Sequence, residues 1–229
     1  MKKAMWIISV LNLGITAVVL QFLPESVPMH FNVAGAVDRW GSKYENLLLP
    51  AIVLALSLFL HLIIFLFEKK AAGASTDKEK AAARSNTKVI KIIGVSIVSM
   101  FTVLQGFLLY NAYVGGSQSS FNFGKITCIL CGILFVVLGD FMPKLKRNYL
   151  LGFRIKWSMY NDTTWMKSNR FAAIAMVAAG IATILSSLFA NESLVIILTL
   201  AYLMIAALVS TVYAYTVYKQ ELGKEEKAE

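Results

Sequence analysis

The stretch GDFMPKLKRNYLLGFRIKWSMYNDTTWMKSNR, Gly139 to Arg170, leaves one long apolar run and enters another. Between them it gathers Lys144, Lys146, Arg147, Arg154, Lys156, Lys167 and Arg170 around Tyr149, Trp157 and Trp165. A basic, aromatic connection between two apolar runs reads as the water-exposed turn of a membrane bundle. Outward from it, the chain of 229 residues keeps the same pattern: 58% hydrophobic, 15% charged, mean hydropathy +0.66. A soluble domain usually carries about 25% charged residues. The missing charge is not spread through a core but replaced by runs long enough to cross lipid.

Six such runs are predicted as transmembrane helices, at residues 4–23, 47–67, 90–113, 126–142, 171–189 and 194–218. Each is near the roughly 20 residues that cover ~30 Å of hydrocarbon at 1.5 Å per residue. Length and the lack of alternating polarity favour helices over a barrel. The apolar run after Lys2 and Lys3 is too long for a cleaved leader and reads as the first span. The expected class is an all-α, multi-pass integral membrane protein with both termini cytoplasmic. The charge pattern carries the orientation. Of 22 basic residues, all but Arg39, Lys43 and Lys125 fall on one side. Basic residues are retained on the cytoplasmic side. The same sorting explains the net charge of +9 without nucleic acid, so no direct nucleic-acid partner is expected, and membrane lipids are.

The expected organisation is a two-helix region over residues 1–67 with an extracellular loop at 24–45. A cytoplasmic linker follows at 68–88, rich in Ala, Lys and Glu and read as a hinge or as helical extension of its neighbours. A four-helix region then covers 89–218, with a motif loop at 143–170, and a charged tail covers 219–229. No internal repeat is visible, which counts against an inverted-repeat transporter. Ala175, Ala179, Thr183 and Ser187 at i, i+4 steps predict a packed face on the fifth span. Cys128 and Cys131 lie inside an apolar run and read as small packing residues.

In the outer loop, Pro24 and Pro28 stop the first helix, and Asn32, Gly35, Asp38 and Gly41 supply turn chemistry. Asp38-Arg39-Trp40-Gly41 suits a surface hairpin. Its aromatics fit either an interfacial belt or ligand contact. His30 lacks the three or four partners that a metal needs, so no metal is expected. His61 in the second span reads as a helix-to-helix hydrogen bond rather than a proton relay. Asp140, a carboxylate at the end of a span, is expected to pair with Arg154 or Arg170. Gly152 is expected to adopt a backbone that other residues avoid, and Asp162 to cap the fifth helix. Trp165 and Asn169 share one face of that helix, Met166 and Arg170 another. An anionic-lipid anchor accounts for Lys144, Lys146 and Lys156, but poorly for Asp140, Asn148, Gly152 and Asn169.

The series Gly139, Pro143, Lys144, Lys146, Asn148, Tyr149, Gly152, Arg154 and Trp157, followed by Trp165, Lys167 and Arg170, resembles the signature of the SdpI-type immunity proteins. These are bacterial membrane proteins that protect cells from a secreted peptide toxin. The outer loop from Leu23-Pro24 through His30-Phe31-Asn32 to Asp38-Arg39-Trp40-Gly41-Ser42-Lys43 resembles the small domain that often precedes that region. The chain departs from the pattern at Asp140, Arg147, Lys156 and Asn169. The resemblance implies resistance to a killing peptide by non-covalent binding, with signalling through recruitment of a cytoplasmic transcriptional repressor as a second layer. It points to His30, Phe31, Asn32, Asp38, Arg39 and Trp40 as the toxin-facing set. The cytoplasmic motif set is Asp140, Pro143, Lys144, Asn148, Tyr149, Gly152, Arg154, Trp157, Trp165, Lys167, Asn169 and Arg170. A peptide exporter or small permease is the alternative. A membrane enzyme is disfavoured, because there is no nucleophile-and-base pair, full metal set or phosphate-binding glycine loop, and no cofactor is expected.

Overall fold

In the computed structural model, residues 1–32, 36–115 and 122–227 are described; Gly35, assigned a turn role above, lies outside them. Six helices follow the six apolar runs: α1 (Lys2–Val19), α2 (Leu48–Ala72), α3 (Asp77–Val114), α4 (Phe123–Phe141), α5 (Asp162–Phe189) and α6 (Glu192–Glu225). All six are long and apolar enough to cross a membrane. Two short strands, β1 (Ser26–Phe31) and β2 (Val37–Ser42), form an antiparallel hairpin between α1 and α2. The all-α reading holds for the bundle and gains this one hairpin.

Local chemistry sets the helix ends. Thr76 and Glu79 close a capping box at the start of α3, and Gly115 ends that helix at φ +76. Asn122 and Asn191 accept the first free amides of α4 and α6. The fifth helix corrects an expectation: Asn161, not Asp162, is the cap, accepting from Thr164 N–H at 2.8 Å. Asp162 is already the first helical residue, and its carboxylate receives Arg147 Nε at 3.0 Å.

The bundle is inverted relative to a soluble protein. Only 22–33% of each apolar window is buried inside the protein. The inward face of α1 is Met5, Ser9, Asn12 and Thr16, whereas Ile7, Leu11 and Val18 face outward. Where lipid solvates the apolar side chains, small and polar residues hold the helices together. Ser9 and Ser57 hydroxyls lie 2.6 Å apart between α1 and α2. Trp6 Nε1 donates to His61 Nδ1 at 3.2 Å between the same helices, the hydrogen bond expected of that histidine. An apolar cluster of Met5, Val53, Leu60, Ile64, Ile90 and Val98 fills the centre of α1–α3.

The second half packs on glycine. A Cβ on Gly132 would stand 2.8 Å from the Gly180 carbonyl oxygen, and one on Gly180 would stand 2.6 Å from the Gly132 carbonyl oxygen. Gly139 meets Ala173 in the same way at 2.8 Å. Backbones of α4 and α5 therefore touch over two turns. Ala179, Thr183 and Ser187 are buried on α5 as expected, with Ala175 half-buried.

Candidate functional site

The candidate residues separate into two groups at opposite ends of the bundle. Phe31 of the hairpin stacks on Phe123 at the start of α4, with ring centroids 5.8 Å apart. Asp140 lies at the other end of that helix, about 25 Å further along its axis.

At the hairpin end, the strands are clamped rather than loose. Val27 is fully buried with Leu20, Leu23, Leu109 and Ala112. Lys43, itself nearly buried, reaches Glu25 at 2.9 Å. Gly41 leaves room for the Glu45 carboxylate, which accepts from Ser42 N–H at 3.0 Å and from Arg39 at 2.9 Å. Gln105 of α3 donates to the Asn46 carbonyl at 3.0 Å. The register pairs Pro28 with Trp40 and His30 with Arg39, with irregularities on either side of His30. His30 and Asp38 form a hydrogen-bonded pair across the hairpin. His30, Asp38, Arg39 and Trp40 are exposed, Trp40 by 53%. Phe31 and Asn32 are half-buried, and Asn32 Oδ1 accepts from Ala36 N–H at 3.0 Å. Exposed Phe22, Tyr44 and Tyr113 belong to the same end.

At the basic end, the loop joining α4 to α5 is built from its own polar side chains. Asn148 Oδ1 accepts from Leu150 and Leu151 N–H, and its Nδ2 donates to the Lys146 and Leu151 carbonyls. Gly152 sits at φ +100, the conformation expected of it. A Cβ there would strike Asn169 Oδ1 at 2.5 Å and the Trp165 ring at 3.0 Å. Asn169 instead receives Phe153 N–H at 2.9 Å and donates to the Trp165 carbonyl. Trp165, only 3% exposed, donates its indole N–H to the Leu145 carbonyl at 3.0 Å. Asn148, Gly152, Trp165 and Asn169 are thus the frame of the loop. A surface formed by Trp165 is not available.

The expected Asp140–Arg pair is corrected. Asp140 binds Lys144 at 2.9 Å, one turn on. Asp140 is exposed at the end of α4, and among the described residues neither Arg154 nor Arg170 pairs with it. Arg154 donates weakly to the Leu150 carbonyl at 3.4 Å, and Arg170 is exposed. Pro143 is the second residue of the short 3-10 turn Met142–Lys144 that follows α4. Trp157 packs edge-on against Tyr215, Tyr160 against Tyr218, and Lys167 binds Glu221, all on α6. Tyr149 projects freely at 83% exposure. Among the described residues, Lys146, Arg154, Lys156 and Arg170 have no carboxylate partner, and no group of three or more His, Cys, Asp or Glu could hold a metal.

Sequence reasoning missed the supports of this loop. Ser85 donates to the Lys144 carbonyl at 2.7 Å, and Asn86 clamps the Lys146 backbone from both sides at 2.9 and 3.2 Å. Both stand on α3, in the stretch read as a linker. Glu68 joins three helices by holding Lys2 and Lys91 at 2.6 Å each. A polar pair inside an otherwise charged, Ala-rich stretch was the available signal for Ser85 and Asn86.

Comparison with known proteins follows the same division. Residues 144–214 match the SdpI/YfhL protein family, and residues 7–54 match a domain of unknown function (DUF1648). The chain is 26% identical over 227 residues to the Immunity protein SdpI of Bacillus subtilis (strain 168), covering 97% of this chain and 99% of that one. No solved structure matches.

Proposed function

We propose that this SdpI-type multi-pass membrane protein confers immunity to a secreted killing peptide by holding it, non-covalently, at the hairpin end. The observation that carries this is the clamped hairpin, whose exposed His30, Asp38, Arg39 and Trp40 stand on a fixed base. That end is close to neutral, with Glu25, Asp38, Glu45 and Glu192 against Arg39, Lys43 and Lys125. Mixed charge beside exposed Trp40, Tyr44 and Phe22 suits an amphipathic peptide arriving through the interface. The 19 basic residues at the other end support a cytoplasmic side there, with both termini on it. The similarity to a protein named for immunity supports the biological role. No catalytic step is needed.

A second layer rests on the unpaired cations of the basic loop. Lys146, Arg154, Lys156 and Arg170, beside exposed Tyr149, form a surface for an acidic cytoplasmic partner such as a transcriptional repressor.

The test is survival of a toxin-sensitive bacterium expressing the chain, Trp40→Ala or Arg154→Ala at equal membrane level. Trp40→Ala is expected to lose protection, and Arg154→Ala to keep it while losing a repressor-linked transcriptional response. Full protection by a Trp40→Ala, Arg39→Ala double variant would remove the hairpin from the reading. Energy-dependent efflux of labelled peptide would replace binding by export.

A further inference from the structure

At the basic end, where α2 hands over to α3, an open cleft of about 360 Å³ is lined by Glu68, Ala71, Arg84, Thr87, Lys88 and Lys91. Arg84, Lys88 and Lys91 are spaced i, i+4 and i+7, and so share one face of α3. The only acid in the lining is Glu68, whose carboxylate already holds Lys2 and Lys91 at 2.6 Å. Thr87 is committed to the Ala83 carbonyl. Arg84 and Lys88 are exposed and have no ion pair among the described residues. Lys69 and Lys70 occupy the last turn of α2, where they offset the negative end of its dipole. The cleft therefore presents an excess of positive charge in a concave wall whose small Ala71 and Ala72 side chains leave room.

Depth decides what the excess meets. Lys91 lies in the first turn of the apolar span, between Ile90 and Ile92-Ile93. On α2, exposed Leu62, Phe65 and Leu66 lie within two turns of Glu68, on the membrane side. A phosphate seated among Arg84, Lys88 and Lys91 would have its acyl chains directed along the lipid-facing, apolar part of the bundle. We infer that this cleft is a binding site for the headgroup phosphate of an anionic membrane lipid, separate from both the hairpin and the α4–α5 loop. Basic residues at a membrane surface each strengthen such binding several-fold, so losing two weakens it about 30-fold.

The test titrates phosphatidylglycerol into the purified full chain in phosphatidylcholine micelles and counts bound lipid by native mass spectrometry. Arg84→Ala with Lys88→Ala is expected to weaken retention about 30-fold. Lys146→Ala with Lys156→Ala removes the same charge from the exposed loop and is expected to change it less than about threefold. The charge-keeping pair Arg84→Lys with Lys88→Arg is expected to retain most of the binding, which separates charge from folding. Equal loss in both alanine pairs would mean diffuse attraction and overturn the site. Displacement of phosphatidylglycerol by millimolar inorganic phosphate, with phosphate itself retained, would assign the cleft to a soluble anion and overturn the lipid reading.

Discussion

Replacing Gly180 by alanine tests the packing that holds the second half of the bundle together. The new Cβ would lie 2.6 Å from the Gly132 carbonyl oxygen and 3.0 Å from Val136 N, both backbone atoms that cannot rotate away. Restoring ordinary contact near 3.4 Å requires α4 and α5 to separate locally by about 0.8 Å. Overpacking of this kind costs about 1–3 kcal/mol, against about 1 kcal/mol gained from alanine's better helix propensity. The net is a loss of about 1 kcal/mol. Gly14 and Gly106 are the internal controls, since a Cβ on either meets nothing within 4 Å. Alanine there should stabilise by up to about 1 kcal/mol. The two classes should differ by about 2 kcal/mol, or ~4–8 °C in melting temperature for a chain of this size. Thermal unfolding of the purified variants, followed by circular dichroism in one detergent, measures the gap. A Gly180→Ala variant as stable as Gly106→Ala would refute the argument that backbone contact sets this interface.

Two further outcomes follow from the basic end. Asn86→Ala removes both side-chain hydrogen bonds to the Lys146 backbone, which should cost about 1–2 kcal/mol and speed amide hydrogen exchange in residues 145–151 while leaving the hairpin unchanged. The Glu225 carboxylate accepts the Tyr160 hydroxyl and holds its pKa above the ordinary phenol value. Because the folded value is raised, the contact's contribution is full below the unfolded phenol pKa and is lost as pH rises through the folded one. Ultraviolet phenolate titration should show one late-ionising tyrosine that is missing in Tyr160→Phe.

How much of this was readable from residues depends on the range of the interaction. The six spans, the SdpI-type resemblance, the stopped first helix and the strained Gly152 follow from local rules of hydropathy, turn chemistry and motif order, and the structure and comparisons bear them out. Rotational facts were not readable. Arginine suits a carboxylate, but Asp140 stands exposed and Lys144, one turn further along the chain, takes it. The packing face on α5 was seen through its alanines, yet Gly132 and Gly180 set the closest approach, because a helix partner is chosen by two sequences together. Trp165 looked like a binding aromatic; its indole N–H reaches a carbonyl 20 residues earlier, a pairing no local pattern encodes. Asn161 and Asp162 are both good caps, and only the backbone angle separates them.

The length of α3 has a mechanical meaning. One unbroken helix of 38 residues carries Ser85 and Asn86, which grip the basic loop, and Gln105, Leu109 and Ala112, which grip the hairpin platform. From Ser85 to Ala112 it acts as a rod of about 40 Å. Pivoted at its middle, a tilt of 5° would carry each end sideways by about 2 Å in opposite directions, enough to break a hydrogen bond. Both ends of the bundle are thus tied to one stiff element, so a tilt of α3 would displace them together without unfolding either, and a break near Gly106 would uncouple them.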